Sequence, residues 1–172
     1  MLSKLKWFFK KLIFKNNFIK YQNPYFIGNE IKNVNLAIAT KQLIGPGNFI
    51  EKCEKLLEKQ LSCKKALLTA SGTDAIEMAC LLAGFNAGDE VLIPSFNFPS
   101  SATSILRCGA KPVFINIESS NMNISLKDIE KSVNLKTKGI IIVHYAGLSA
   151  PMSEIIQFAN ARNLIIIEDA AQ

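Results

Sequence analysis

Apolar positions recur at helical spacing from about residue 28 and then change to short unbroken runs. Glu30 to Leu43 reads as one helix, closed by the turn Gly45-Pro-Gly47. Asn48 caps a second helix to about Leu61, with Phe49, Cys53, Leu56 and Leu57 on one face. Strands follow at Ala66–Thr69, Val91–Ile93, Pro112–Ile115, Gly139–Val143 and Leu164–Glu168. Between them lie helical stretches near Thr73–Ala83, Pro99–Arg107, Leu126–Val133 and Met152–Ala161. Strands alternating with helices predict βαβ units and an α/β fold with a mainly parallel sheet. The strands are continuous apolar runs, as expected when helices cover both faces of the sheet. No repeat or low-complexity tract interrupts the pattern.

Charge changes this picture only at the N-terminus. Residues 1–20 hold six lysines (Lys4, Lys6, Lys10, Lys11, Lys15 and Lys20) and no acid. Twenty basic residues less those six leave fourteen, against fourteen acidic ones, so the net charge of +6 belongs to this segment alone. The body of the chain, residues 21–172, therefore carries no basic signature for nucleic acid. The segment mixes lysines with Trp7, Phe8, Phe9, Leu12, Ile13 and Phe14, and its apolar runs are too short for a signal peptide. Two arrangements fit: a basic amphipathic helix in weak contact with an anionic membrane surface, or an extension packed on the body or on a partner subunit. No apolar stretch approaches the roughly 18 residues of a spanning helix. Cys53, Cys63, Cys80 and Cys108 have no metal-ligand spacing, which predicts free buried thiols in a reducing cytoplasm.

Three places carry possible chemistry. The first is Thr69-Ala-Ser-Gly-Thr-Asp-Ala-Ile-Glu-Met-Ala79, where a strand ends and a helix begins. Free backbone N–H groups at that helix start, with Gly72 permitting close approach, make an anion site to which the Ser71 and Thr73 hydroxyls can contribute. An ordinary N-cap is the competing reading. The second is Pro94-Ser-Phe-Asn-Phe-Pro-Ser-Ser101, directly after the next strand. Phe96 and Phe98 alternate, so one can face a ligand while the other packs, and an aromatic there suits stacking on a ring; two core phenylalanines are the alternative. The third is Asp169 with Gln172. An acid at the carboxyl end of a strand stands where ligands bind in open α/β sheets, and it can hold a protonated ring nitrogen by a charge-assisted hydrogen bond. Helix capping is again the competing role.

Other chemistries lack their residues. The first turn has no lysine of a phosphate-binding P-loop, and no GxGxxG fingerprint is present. His144 is the only histidine, so neither a histidine metal site nor a Ser–His–Asp triad is supported.

A phosphate turn, a stacking aromatic and a terminal acid, in that order, are the layout of a fold-type-I pyridoxal-phosphate enzyme. Gly45-Pro-Gly47, Ser71-Gly-Thr73, Gly88-Asp-Glu-Val91, Pro94-Ser-Phe96, Gly109-Ala110 and Glu168-Asp-Ala-Ala-Gln172 resemble the DegT/DnrJ-type sugar aminotransferases. Asn121-Met-Asn-Ile124 and Val143-His-Tyr-Ala-Gly147, with Met152 beyond, are most similar to the branch that converts TDP-4-keto-6-deoxyglucose to TDP-4-amino-4,6-dideoxygalactose. The resemblance spans residues 22–172 and leaves residues 1–18 outside it. It implies the N-terminal part of the large domain of a PLP-transferase, truncated after Gln172.

By position, the resemblance implies that the Gly72 and Thr73 amides bind the phosphate of pyridoxal 5'-phosphate. Phe98 would stack on its pyridine ring, Asp169 would keep the ring nitrogen protonated, and Gln172 would hydrogen-bond the ring hydroxyl. Asn116 stands where the family usually has Asp. The family's Schiff-base lysine lies beyond Gln172, so no catalytic residue is assigned in this chain, and no metal is called for. The implied substrates are a nucleotide-linked 4-keto-6-deoxysugar and an amino donor, usually glutamate. The implied setting is a cytoplasmic homodimer feeding surface polysaccharide such as O-antigen. A 3-keto substrate, a non-catalytic binding or regulatory relative, and a gene fragment without function are the rival readings. Truncation also predicts uncovered apolar faces around Leu164–Ile167.

Overall fold

In the computed structural model, residues 24–41, 43, 45 and 47–172 are described, which leaves the N-terminal segment 1–20 outside the described residues. The described chain falls into two units that divide between Lys65 and Ala66.

The first unit holds helices α1 (Glu30–Ala39) and α2 (Asn48–Leu61). Glu30 closes the start of α1, its carboxylate accepting the Ile27 and Gly28 amides at 2.9 Å each. Its own backbone amide and then these two hold the carboxyl below its ordinary pKa. The helix expected to reach Leu43 stops at Ala39, because Lys41 takes a left-handed φ of 54° that a helix cannot continue through. The cap of α2 is Gly47, in extended conformation, and Asn48 is already helical. The α2 face read as apolar has no buried residue: Cys53 and Leu56 are exposed. At its far end Lys65 bridges Glu54 and Glu58 at 3.3 and 3.0 Å.

The second unit contains α3 (Gly72–Leu82), β1 (Glu90–Pro94), α4 (Ser100–Arg107), β2 (Lys111–Ile115), α5 (Leu126–Ser132), β3 (Thr137–Val143), a short 3-10 turn at Tyr145–Gly147, α6 (Met152–Asn160) and β4 (Ile165–Asp169). The four strands form one sheet in the order β2-β1-β3-β4, every pair parallel. The expected strand Ala66–Thr69 is not part of it.

Alternation within the buried strands sorts side chains to two cores. Leu92, Ile140 and Ile142 point to one face, where Ile129 of α5 and Ile155 and Ala159 of α6 close over them. Val91, Ile93 and Ile141 point to the other, against Ile76 and Cys80 of α3 and Ile105 of α4. Both faces of the sheet are thus covered, which is why its strands read as unbroken apolar runs. The expectation of uncovered apolar surface at Leu164–Ile167 fails. Leu164 joins the first core and Ile167 the second, each 9% exposed. Exposed apolar side chains lie elsewhere, at Leu81, Leu82, Leu106 and Phe114. All four cysteines are free, but only Cys80 is buried; Cys53 and Cys63 are exposed on or just after α2. Among the described residues no helix is long and apolar enough to cross a membrane, and no cluster of His, Cys, Asp and Glu is placed to hold a metal.

Candidate active site

Strand order locates the site. The chain runs outward from β1 to β2, then returns across β1 to β3 and on to β4. The reversal lies between β1 and β3, and the loops leaving the carboxyl ends of such a pair splay to opposite faces and open a crevice. Here those loops are Ser95–Pro99 after β1 and His144–Ala150 after β3. Phe96 of the first and Tyr145 of the second meet there, their ring centroids 5.1 Å apart and tilted by 52°.

Two cavities open at this edge. One, of ≈ 250 Å³, is lined by Gly72, Thr73, Phe98, Ser100, Asp169 and Ala171. The other, of ≈ 240 Å³, has Phe96, Phe98, Tyr145, Asp169 and Gln172 on its wall. Phe98 and Asp169 belong to both. All five residues singled out from the sequence therefore come to one end of the sheet. A further cavity in the first unit, at the α1–α2 turn, holds none of them.

Local chemistry accounts for each placement. Ser71 is the N-cap of α3: its hydroxyl accepts the Asp74 amide at 3.1 Å and donates to the Asp74 carboxylate at 2.8 Å. The hydroxyl expected to reach an anion is thus committed to the cap. The cap leaves the Gly72 and Thr73 amides without an acceptor among the described residues, as the first turn of a helix must. A Cβ placed on Gly72 would meet nothing within 4 Å, so the backbone there is open to a ligand. Of the two alternating phenylalanines, Phe96 packs on Tyr145, while Phe98 is 72% exposed and stands over both cavities.

Asp169 ends β4, and its backbone carbonyl accepts the His144 amide at 3.1 Å, extending the β3–β4 ladder by one bond. One carboxylate oxygen accepts the Ala171 amide at 3.2 Å; the other has no hydrogen-bond partner among the described residues. Gln172 is held by the loop after β3. Its side-chain oxygen accepts the Ala146 amide, which leaves the NH2 group as its remaining polar function. No lysine lines either cavity.

Sequence reasoning missed the residues that hold the far wall. His144 accepts the Ala150 amide on Nδ1 at 3.2 Å, so its proton sits on Nε2, which donates to Glu168 at 2.9 Å. Asn123, 1% exposed, accepts the Tyr145 amide at 3.1 Å and donates to the Leu148 carbonyl at 3.0 Å. Tyr145 had a usable signal, since it follows β3 as Phe96 follows β1.

The residues present suit a phosphorylated aromatic cofactor. Two unpaired amides at the start of an eleven-residue helix offer an anion site. A flat exposed ring and a carboxylate with a free oxygen face the same space. A model of the DegT/DnrJ/EryC1/StrS aminotransferase family matches residues 25–172.

The chain belongs to that family.

Its relatives include GDP-perosamine synthase of Escherichia coli O157:H7, 33% identical over 155 residues, an alignment covering 90% of this chain and 43% of the enzyme. A pleiotropic regulatory protein of Geobacillus stearothermophilus is 40% identical over 126 residues, covering 73% of this chain and 34% of that protein. Among solved structures, NtdA from Bacillus subtilis with bound cofactor PMP superposes with a TM-score of 0.79 at 31% identity, over 92% of this chain and 38% of NtdA. The chain spans less than half the length of the curated relatives it matches. Within the DegT/DnrJ/EryC1/StrS family, then, the described sheet and its flanking helices correspond to part of a larger aminotransferase fold.

Proposed function

We propose that this chain supplies the cofactor-binding half of a pyridoxal-phosphate-dependent aminotransferase acting on a nucleotide-linked keto-sugar. The observation that carries this is the meeting of the Gly72 and Thr73 amides, the Phe98 ring and the Asp169 carboxylate on one cavity at the carboxyl ends of the strands. The two amides would bind the phosphate, helped by the dipole of α3. Phe98 would cover one face of the ring and exclude water from it. Asp169, through the oxygen not used by Ala171, would hold a proton on the ring nitrogen. Gln172, its oxygen fixed by Ala146, would offer its NH2 group to the ring hydroxyl. Bound there, the cofactor supplies the electron sink for amine exchange.

The substrate reading is a 4-keto-6-deoxysugar carried on a nucleoside diphosphate, TDP-4-keto-6-deoxyglucose in the first instance, with glutamate as amino donor. The likeness to GDP-perosamine synthase supports a sugar-nucleotide substrate and makes the GDP-linked sugar the comparison to run. A homodimer, a cytoplasmic setting and a product used in surface polysaccharide such as O-antigen complete the proposal; four free cysteines fit a reducing compartment. Residues 21–172 would form part of the enzyme's large domain, with residues 1–20 as an extension. A regulatory, non-catalytic role is the second reading, favoured by the 40% identity to the Geobacillus protein.

Titration of the purified chain with pyridoxal phosphate, followed by difference absorbance, tests the site. Weak, dialysable binding is expected, with borohydride trapping no pyridoxyl-lysine. Asp169→Ala is expected to weaken binding at least fivefold, and inorganic phosphate to compete. Binding that is indifferent to Asp169→Ala and Phe98→Ala alike would sink the reading. A trapped lysine within residues 1–172 would overturn the assignment of the catalytic lysine outside this chain.

A further inference from the structure

The Asn121-Met-Asn-Ile124 segment lines neither cavity, yet its buried carboxamide holds the site's far wall. We propose that Asn123 is a positioning residue: it holds the Tyr145–Gly147 turn in the shape that lets the Ala146 amide orient Gln172 and sets Tyr145 against Phe96.

Asn123 comes from an excursion after β2 that closes on itself. Ile117 bridges Ile124 antiparallel, and the Glu118 amide donates to the Asn123 carbonyl at 2.8 Å. The Asn121 side chain accepts the Asn123 amide at 3.0 Å and stabilises the turn at Met122, whose φ is 60°. These bonds leave the Asn123 side chain one direction, inward, where it is 1% exposed. Its oxygen takes the first amide of the 3-10 turn and its nitrogen the carbonyl just beyond the turn. One planar amide thus fixes the distance between residues 145 and 148. A hydroxyl or a carboxylate cannot supply a donor and an acceptor at that separation.

The clamped turn is strained. Ala146 has φ 55° and ψ 27°, left-handed values that a residue with a Cβ adopts only when its surroundings impose them. In that conformation its N–H points at Gln172 and is taken by the Gln172 side-chain oxygen. Gly147, at φ 76°, lets the turn lie close to the Gln172 main chain, whose oxygen would be 3.5 Å from a Cβ there. If the clamp is removed, Ala146 is free to relax toward right-handed values, which turns its N–H away. Gln172 then loses its fixed rotamer, and the Tyr145 ring its seat on Phe96.

What the oriented Gln172 meets rests on the pyridoxal-phosphate reading; the clamp itself does not. Two measurements separate them. Amide exchange and side-chain resonances are followed by 15N NMR on the full chain, for the unaltered protein, Asn123→Ala, Asn123→Asp and Gln172→Ala. In Asn123→Ala, the Tyr145 and Ala146 amides should exchange about tenfold faster, on the scale of one lost buried hydrogen bond. The Gln172 NH2 resonances should move toward free-amide positions, while the Ile93 and Ile141 amides stay within about twofold. Asn123→Asp should keep Tyr145 protected and still release Ala146, because only the donor to Leu148 is lost. Gln172→Ala should release Ala146 but not Tyr145.

Unchanged Ala146 exchange and Gln172 resonances in Asn123→Ala would refute the clamp. So would an equal loss at Ile93 and Ile141, which would make Asn123 a residue of the fold only. Should Asn123→Ala not fold, Asn123→Asp decides, and a parent-like spectrum at Ala146 and Gln172 refutes the clamp. Pyridoxal phosphate is titrated separately. Asn123→Ala should weaken its binding as much as Gln172→Ala does, and equal binding by all three chains breaks the link to the cofactor. If the unaltered chain binds none, the cofactor reading fails and the NMR result stands.

Discussion

Gly139→Ala is expected to destabilise the second unit, against the usual direction of a Gly-to-Ala change in a strand. Gly139 is a buried residue of β3, paired with Val91 on one side and Ile165 on the other. A Cβ built there stands 2.6 Å from Cζ and 2.9 Å from Cε1 of Phe85, and 2.8 Å from the Ile165 carbonyl oxygen. Carbon atoms pack best at about 3.5–4.0 Å, so the methyl must displace both neighbours by roughly an ångström. Phe85 is 2% exposed and packed in the core shared by α3 and α4, so its ring has no outward escape. The carbonyl belongs to the β3–β4 ladder. Overpacking of this kind costs about 1–3 kcal/mol, while the stiffer unfolded chain returns about 0.4–1 kcal/mol. A net loss of about 1–2 kcal/mol remains. With a urea slope of about 1–3 kcal/mol per molar, the midpoint should fall by roughly half to one molar at unchanged slope. Phe85→Leu in the Gly139→Ala background should recover part of that loss and not all of it, since the Ile165 carbonyl stays in place. A midpoint equal to or above the parent's in Gly139→Ala would refute the close approach of Phe85 to β3.

Ser71→Ala removes the cap of α3 and should cost about 1 kcal/mol; an unmoved urea midpoint would show that the hydroxyl is not capping. Burial first, then the neighbouring Cys108 and Glu77, pushes the Cys80 thiol from 9.0 up to about 12. Maleimide at pH 8 should therefore label Cys53 and Cys63 in the folded chain and leave Cys80 untouched, and early labelling of Cys80 by mass spectrometry would contradict its burial. The folded state also keeps the Cys80 proton where the unfolded chain loses it, so this contribution is full below an unfolded pKa of about 8.5 and is lost as pH rises toward 12. The urea midpoint should fall with pH above about 9 less steeply in Cys80→Ala than in the parent. For the lysine-rich residues 1–20, flotation with anionic liposomes should carry more of the intact chain than of a chain starting at residue 21, and equal partitioning would rule out membrane attachment.

Most of this fold is legible in the sequence because its elements are set by local signals. Gly72–Leu82, Ser100–Arg107 and Met152–Asn160 lie within a residue or two of the helices read from apolar spacing, and four of five strands fall where unbroken Val and Ile runs stand. The misreadings come where a neighbour decides. Ala66–Thr69 has the composition of a strand but is not among the named strands. Glu30–Ala39 stops early because Lys41 adopts a left-handed conformation that its side chain does not announce. Phe96 and Phe98 directly follow β1 and Asp169 ends β4, while the small-residue turn at Ser71–Thr73 opens a helix whose cap its own residues announce. Turns at strand ends can be read off a single chain.

The rest of the site depends on the order of the strands, which local patterning does not encode. A sheet ordered β1-β2-β3-β4 from the same segments would put the loop after β2 between those after β1 and β3. Tyr145 could not then reach Phe96, and Asn123 would have no turn to clamp. The observed order sends the chain back across β1, so that the loops after β1 and β3 become neighbours and the excursion at residues 116–125 lies within reach of the second loop. The crossing is chosen by the cores: Ile129 and Ile155 close one face, Ile76 and Ile105 the other. Each crossover then keeps its usual right-handed sense only if β1→β2 and β2→β3 run in opposite directions across the sheet. The distribution of helices between two apolar faces thereby fixes where the crevice opens. The crevice in turn gives a buried asparagine far along the chain its place beside the Tyr145–Gly147 turn.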